Sequence, residues 1–337
     1  MNKVLSVSIA GYNVEATLRE TLEPFLHTNV LDKLDIMIVD DGSKDNTAQV
    51  AQEFVDKYPD SFRLISKKNG GWGSTVNSGI DNARGKYFKQ LDGDDYYRPE
   101  NMAGFIACLE NTNADMVITP YISYNDQTGE QLSFEQCNPG CEQGKVYELA
   151  QIDSFMPFMH ALCVRTDLLK DEKVKITENC FYTDTEFVLK ALNQVHTVEF
   201  YDQVIYCYRR AAAGQSMSLV GFEKHHMEQY KVIQVLLQYK NEHVTRPEIK
   251  KLYDQLLYTT CLWHYLVMLY IKPTRQHKRE LVDYDKMLKK MAPDYYERID
   301  IGTVNKLRQF HFMGYTIAAI HKKKKDNRFT KDGRMLY

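Results

Sequence analysis

Along the first hundred residues, short apolar runs alternate with amphipathic stretches. VLSVSIA (residues 4–10) is a β-rich run ending at Gly11, and residues 16–26 place apolar side chains at helical spacing. LDIMIVD (34–40) is almost continuously apolar, the pattern of a strand buried on both faces. After the turn DGSKDNT, the spacing predicts a helix over 47–58 and a strand at RLISK (63–67). NGGWGS (69–74) reads as a glycine-rich loop, 75–83 as a helix, and GKYFKQL (85–91) as a strand entering the interior. Such alternation with short turns predicts a parallel, doubly wound α/β sheet with right-handed connections. In such sheets ligands bind outside the carboxyl ends of the strands. Gly11-Tyr12-Asn13, Asp40-Asp41-Gly42-Ser43, Asn69-Gly70-Gly71 and Asp92-Gly93-Asp94 all follow predicted strands, so four polar turns should converge on one edge.

Beyond Pro99 the pattern loosens. A strand is expected over 115–124, polar turns over 126–144, a strand leading into a helix over 158–169, and a helix over 186–193. From about residue 221 the chain reads as mostly helical, and LLYTTCLWHYLVMLYI (256–271) is too short to span a bilayer and reads as a buried helix. Three regions follow: the alternating first half of a domain (1–100), a second half of the same domain (101–220), and a helical extension with a basic tail (221–337).

Composition narrows the chemistry. The formal charge of −2 gives no bulk case for nucleic acid, and 44% hydrophobic residues suffice for a real core. Seven cysteines, an odd number scattered along the chain, suggest reduced thiols and a cytoplasmic protein. The N-terminal MNKVLSVSIAGYN lacks the long apolar region and cleavage site of a secretory signal. Cys137 and Cys141 have no second Cys/His pair nearby to complete a zinc site.

The informative stretch is KQLDGDDYYRP (89–99), which crowds Asp92, Asp94 and Asp95 at the end of a buried strand. Two carboxylates about 5 Å apart repel by roughly 3 kcal/mol at an effective dielectric near 20. Such crowding is relieved by a hard divalent cation such as Mn²⁺ or Mg²⁺, or by a proton. Alone, the tripeptide is also an ordinary acidic turn, with Asp95 able to cap the helix after Pro99. VDDGSKDNT places Asp40 and Asp41 after another strand, where they could meet a nucleobase or ribose or merely shape the turn. NGGWGSTVNSG offers close backbone approach followed by a helix N-terminus, but it is neither a P-loop nor a dinucleotide fingerprint. A diphosphate bridged by a metal fits these parts.

The ordered series YN, IVDDGSKDNT, KNGGWGSTVNSGI and QLDGDD closely resembles glycosyltransferase family 2, inverting enzymes with a GT-A fold. The resemblance is strong over residues 4–100, fair to about 218 and architectural beyond. It implies a Rossmann-like nucleotide-diphospho-sugar transferase domain with a mainly parallel sheet, followed by a helical region. It also implies a nucleotide-sugar donor, most often UDP-linked, and Mn²⁺ or Mg²⁺. On the matching positions, the backbone near Ala10 and Tyr12 lines the base pocket, Asp41 accepts from the uracil ring with Asp40 beside it, and Asn69, Gly70 and Asn77 lie on the donor side. Asp92 faces ribose or sugar and shares the metal with Asp94, and Asp95 holds the turn or contacts the donor. Ala10 stands where the family often has proline, and Val76 where it often has arginine, a lost cation for which Lys67 or Lys68 could compensate.

Inverting transfer needs a carboxylate that takes the acceptor hydroxyl proton. The family draws it from a Glu-Asp pair before a helix; here Thr183-Asp184 occupies that place, making Asp184 the candidate base and Glu186 the runner-up. Asp184 could instead simply cap that helix. Arg209 matches a family arginine over the donor, suited to a diphosphate by its planar fork, and residues 211–218 read as a mobile lid. His160 and Arg165 are candidates for the acceptor side, and Trp72 could stack on a sugar or pack under its loop. The apolar-then-basic FHFMGYTIAAIHKKKK (310–325) suits an anionic membrane surface, at the inner face of the cell membrane. The expected partners are thus a nucleotide sugar, a saccharide or lipid-linked acceptor, an anionic membrane and a second copy of the chain. Two rivals remain: a non-catalytic sugar-nucleotide or glycan-binding module, and a sugar-phosphate nucleotidyltransferase, whose glycine-rich, arginine-bearing first loop GYNVEAT lacks.

Overall fold

The structure is a computed structural model that describes residues 3–152, 157–171, 174–210 and 218–325, without the side chains of 323–325. It divides into two compact units, 1–212 and 213–337.

The first unit opens with β1 (Leu5–Gly11), α1 (Leu18–Leu26), β2 (Leu34–Asp40), α2 (Thr47–Lys57), β3 (Phe62–Ser66), α3 (Trp72–Asn82) and β4 (Tyr87–Asp92). β5 (Tyr96–Tyr97), α4 (Pro99–Asn111), β6 (Met116–Ile118), β7 (Tyr121–Asn125), β8 (Gln131–Glu135) and β9 (Val146–Glu148) follow. β10 (Leu162–Arg165), α5 (Thr166–Leu169), α6 (Asp184–Leu192), β11 (Thr197–Phe200) and β12 (Tyr206–Arg210) complete it. The main sheet has the order β3-β2-β1-β4-β10-β6-β11-β9, and a smaller one the order β5-β12-β7-β8. β3, β2, β1 and β4 run parallel, with Ala10 opposite both Val39 and Asp92, so the turns after these strands leave one edge together. β1 and β2 are buried along nearly their whole length, as continuous apolar runs require of strands covered on both faces.

Three local readings change. The helix after the glycine loop begins at Trp72, three residues earlier than the periodicity predicts, because Gly71 at φ 78° supplies the turn into it. The strand expected over 115–124 is two strands in two sheets, broken at Pro120, which has no N–H to donate to a ladder. The polar stretch 126–144 contains β8, which pairs antiparallel with β7 through a register shift.

The second unit is helical: α7 (Leu219–His243), α8 (Pro247–Tyr270), α9 (Arg275–Met291), α10 (Pro293–Arg298), α11 (Gly302–Gln309) and α12 (Tyr315–Lys325). Ser218 caps α7 by accepting from the Gly221 N–H, and α8 buries its last seven residues, His264–Tyr270. No described helix is long and apolar enough to cross a membrane. All of the expected lid (211–218) except Ser218, and residues 326–337 of the basic tail, lie outside the described residues.

Candidate active site

β4 carries its last residue, Asp92, to the sheet edge, and the tight turn Asp92-Gly93-Asp94-Asp95 is closed by the Asp95 N–H donating to the Asp92 carbonyl at 3.1 Å. The Gly93 N–H donates to the Ala10 carbonyl at 3.0 Å, joining this turn to the end of β1. Asp95 is 1% exposed. It accepts from the Tyr206 hydroxyl at 2.5 Å and the Arg209 N–H at 2.6 Å, both on β12. It therefore does not cap α4, whose N-cap is Arg98. Arg209 donates from Nε to the Asp94 carbonyl at 2.6 Å, and its two Nη atoms ion-pair with Asp126 and Glu20. Through these contacts the Arg209 fork braces the acidic turn from β12.

All three aspartates hold their protons more tightly than usual. Burial, then the Asp94 charge, lifts Asp92 to about 7, with Asp184 adding to the rise and the Trp72 N–H opposing it. Burial raises Asp94, against its own backbone N–H and Arg209. Burial and the charges of Asp94 and Asp92 raise Asp95 well above the carboxylate range. Hard oxygens crowded with a deficit of positive charge are a donor set that fits Mn²⁺ or Mg²⁺.

The glycine loop is tied to the same place. Asp41 is buried, and its Oδ1 accepts from Lys67 Nζ at 2.8 Å and Gly70 N at 2.9 Å, its Oδ2 from Gly71 N at 2.7 Å. Lys67 also donates to Ser74 and the Lys68 carbonyl, so it is committed to this knot. Asp40 accepts from the Ser43 N–H at 3.0 Å, and Asn69 donates to the Asp41 carbonyl at 3.0 Å. Tyr12 stands half exposed beside this edge. Buried Asn77 clasps the loop before α6, accepting from the Ile176 N–H at 2.8 Å and donating to the Ile176 carbonyl at 2.9 Å.

That loop delivers Asp184. The Asn179 N–H donates to the Gly70 carbonyl at 2.5 Å, and Asn179 and Tyr182 both adopt positive φ, 51° and 63°. For a bulky Tyr that conformation is rare and is held by its surroundings. Thr183 is the N-cap of α6 but makes no side-chain cap, and Asp184 is the first helical residue. Its side chain is open to solvent on one side. The surrounding protein raises its pKa by desolvation, against the N–H groups of Thr185 and Asp184. Trp72 links the two carboxyls' elements, donating to Asp92 while its ring meets Phe187 of α6, the helix that Asp184 opens. Glu186 behaves differently: it is fully buried, pairs with Lys190 at 2.8 Å and accepts from the Thr177 hydroxyl at 3.1 Å.

Comparison with known proteins fixes the family. Residues 6–166 match the model for glycosyl transferase family 2. The protein named uncharacterized glycosyltransferase EpsJ, of Bacillus subtilis, is 26% identical over 224 residues, 62% of this chain and 62% of its own. The matched stretch thus spans under two thirds of that relative. Residues 6–166 belong to glycosyltransferase family 2.

A likeness of fold extends over nearly the whole chain. The crystal structure of Staphylococcus aureus TarS 1–349 in complex with UDP-GlcNAc superposes with a TM-score of 0.66 over 95% of this chain and 89% of that one, at 16% identity, establishing the GT-A fold. The mannosyltransferase PcManGT of Pyrobaculum calidifontis, in complex with GDP-Man and Mn²⁺, gives 0.50 over 97% and 88%, at 14% identity. Within this fold, sequence reasoning named Trp72 and His160 but not their contacts, and it missed Tyr206 and Lys89. Trp72 donates from Nε1 to Asp92 at 2.7 Å and sets its ring edge-on to Phe187. His160 lies between Tyr121 and Tyr208, with Tyr206 edge-on, and its buried Nδ1 has no hydrogen-bond partner. Burial and Lys89 push this imidazole down to about 3, so it is neutral beside Asp92 and Asp95. Lys89 is itself buried, donating to the His160 carbonyl at 2.6 Å, and burial lowers it to about 8. A lysine in the apolar strand ending at Asp92, and the Tyr-X-Tyr of β12, were the available signals. Arg165 forks onto Asp115 and Asp167.

Proposed function

We propose that this chain is an inverting, metal-dependent glycosyltransferase, moving a sugar from a nucleotide sugar to a saccharide or lipid-linked acceptor in cell-surface polysaccharide synthesis. The observation that supports the reading is that Trp72 bonds Asp92 of the acidic turn and packs against Phe187 of α6, the separate element that Asp184 opens. A UDP-linked donor is the first choice because Asp41 Oδ2 accepts only from Gly71 among the described hydrogen bonds, leaving a lone pair for a ring N–H.

In this reading the base lies by Ala10 and Tyr12, with Asp40 and Asp41 on its edge and the Asn69-Gly70 backbone near the donor. Mn²⁺ or Mg²⁺ would be held by Asp94 with Asp92, and when bound would neutralise charge on the diphosphate leaving group. Trp72 orients Asp92, while Asp95, Tyr206 and Arg209 keep the turn in register with β12. Asn77 and Gly70 position the loop that presents Asp184. The Asp184 carboxylate takes the acceptor hydroxyl proton as that oxygen attacks the anomeric carbon. His160 and Glu186 serve the acceptor side indirectly, as a neutral wall and as the buried anchor of α6.

A panel of nucleotide sugars, each with Mn²⁺, Mg²⁺ or chelator, tests this. Metal-dependent release of nucleoside diphosphate, lost in Asp94→Asn, is expected. Pyrophosphate release would point to a nucleotidyltransferase, and binding without turnover under any metal to a non-catalytic module.

A membrane contact rests on a separate observation. Phe310, Met313, Ile317 and Ile320 are exposed apolar residues, the last three at helical spacing, and the stretch leads into four lysines. We infer that this stripe lies on an anionic membrane surface.

A further inference from the structure

The helical unit contains a second group of metal-type ligands. His226 on α7, and His277 and Glu280 on α9, each bring one ligand atom within 4.8 Å of the other two. His277 and Glu280, three apart, share one face of α9. The Thr274 hydroxyl fixes His277 in the first turn by accepting its N–H at 3.0 Å.

Each of the three has an outer partner that aims it. His226 Nδ1 lies 3.0 Å from the Glu223 carbonyl, and His277 Nδ1 2.6 Å from the Lys272 carbonyl. A carbonyl oxygen only accepts, so both Nδ1 atoms carry hydrogen and each neutral ring is left with its lone pair on Nε2. Glu280 Oε1 accepts from Gln276 Nε2 at 2.9 Å, leaving Oε2, which lies 2.9 Å from His226 Nε2. Two acceptors at that distance require a cation between them. A proton on His226 would satisfy that pair but leave the His277 lone pair unused at the same spot. The two rings cross at 73° with centroids 5.0 Å apart, so they converge without stacking. Outer hydrogen bonds that fix the tautomer and direction of ligating histidines are a regular feature of metal sites. Two imidazoles and one carboxylate favour zinc-class ions over magnesium.

We propose that His226 Nε2, His277 Nε2 and Glu280 Oε2 form a three-ligand site for a zinc-class divalent ion, with water as fourth ligand, that clasps α7 to α9. Bonds of about 2.0–2.1 Å in a tetrahedron place ligand atoms roughly 3.3 Å apart. The 2.9 Å His226–Glu280 separation therefore opens by a few tenths of an ångström on binding, and any proton there leaves for solvent. This site does not depend on the transferase reading.

The test uses full-length protein stripped with chelator and titrated with Co²⁺, then Zn²⁺. One equivalent of Co²⁺ is expected to give the visible absorption of a tetrahedral complex, which Zn²⁺ abolishes while raising the unfolding temperature. Asp94→Asn should behave as wild type in this assay, separating the site from the acidic turn. Glu280→Gln, which keeps the side-chain size and the Gln276 contact, should bind at least about tenfold more weakly, and His277→Gln likewise. Absence of tetrahedral absorption in the wild type, or wild-type affinity in Glu280→Gln, overturns the proposal. If His277→Gln does not fold, Glu280→Gln decides alone.

Discussion

Asp184 stands at the first position of α6, where the positive end of the helix favours its ionised form while the surrounding protein disfavours it. As the proposed base it should be needed for proton transfer and not for holding the donor. Asp184→Asn is expected to lower kcat by at least about a hundredfold and to leave donor affinity within about threefold. Single-turnover kinetics and calorimetry measure the two separately. The acidic turn makes a pH prediction. The pKa values of Asp92, Asp94, Asp95 and Asp184 are all raised in the fold, so between the unfolded and folded values the native state binds more protons than the unfolded one. Their contribution is complete at low pH and is lost as pH rises. The metal-free protein should thus lose stability as pH rises from about 4 through about 7, the window set by Asp92, and Asp92→Asn should flatten that slope in thermal unfolding. At this scale the candidates Asp92, Asp94 and Asp184 were readable from motifs. The contacts of Trp72 and His160, and Tyr206 altogether, were not, because they arise between residues 20 to 114 positions apart.

At the scale of elements, the glycine loop and the loop before α6 form one assembly. A Cβ on Gly73 would lie 2.2 Å from the Thr177 carbonyl oxygen, a backbone atom that cannot turn aside. Gly73→Ala is expected to cost about 1–3 kcal/mol of stability and to lower kcat by displacing Asp184. Unchanged melting and unchanged turnover would contradict that coupling. The regular α/β order was readable because β1 and β2 are apolar on both faces and each helix has one buried stripe. The smaller sheet was not. β5 has two residues, β8 is largely exposed, and β12 reaches β7 only in the fold, so no local period announces them. The start of α3 was hidden for another reason: glycine propensity argues against helix, while Gly71 needs a positive φ to begin one.

For the whole molecule, the two units divide the work proposed here, with donor chemistry in the first and surface attachment in the second. Vesicle sedimentation of the full chain against one ending at Ile320 tests the attachment. Each basic residue near an anionic surface is worth about 1 kcal/mol, so removing the lysine cluster should weaken binding to anionic vesicles at least about tenfold and leave neutral vesicles unaffected. Equal sedimentation removes the idea.

Trp72 gives the molecule a property of a different kind. The chain has two tryptophans, Trp72 in the first unit and Trp263 in the second. Since the Trp72 indole N–H rests on the Asp92 carboxyl, its emission should respond when that carboxyl is neutralised or drawn toward an ion. A Trp263→Phe background would isolate that signal, so occupancy could be followed by light in real time, without a labelled donor.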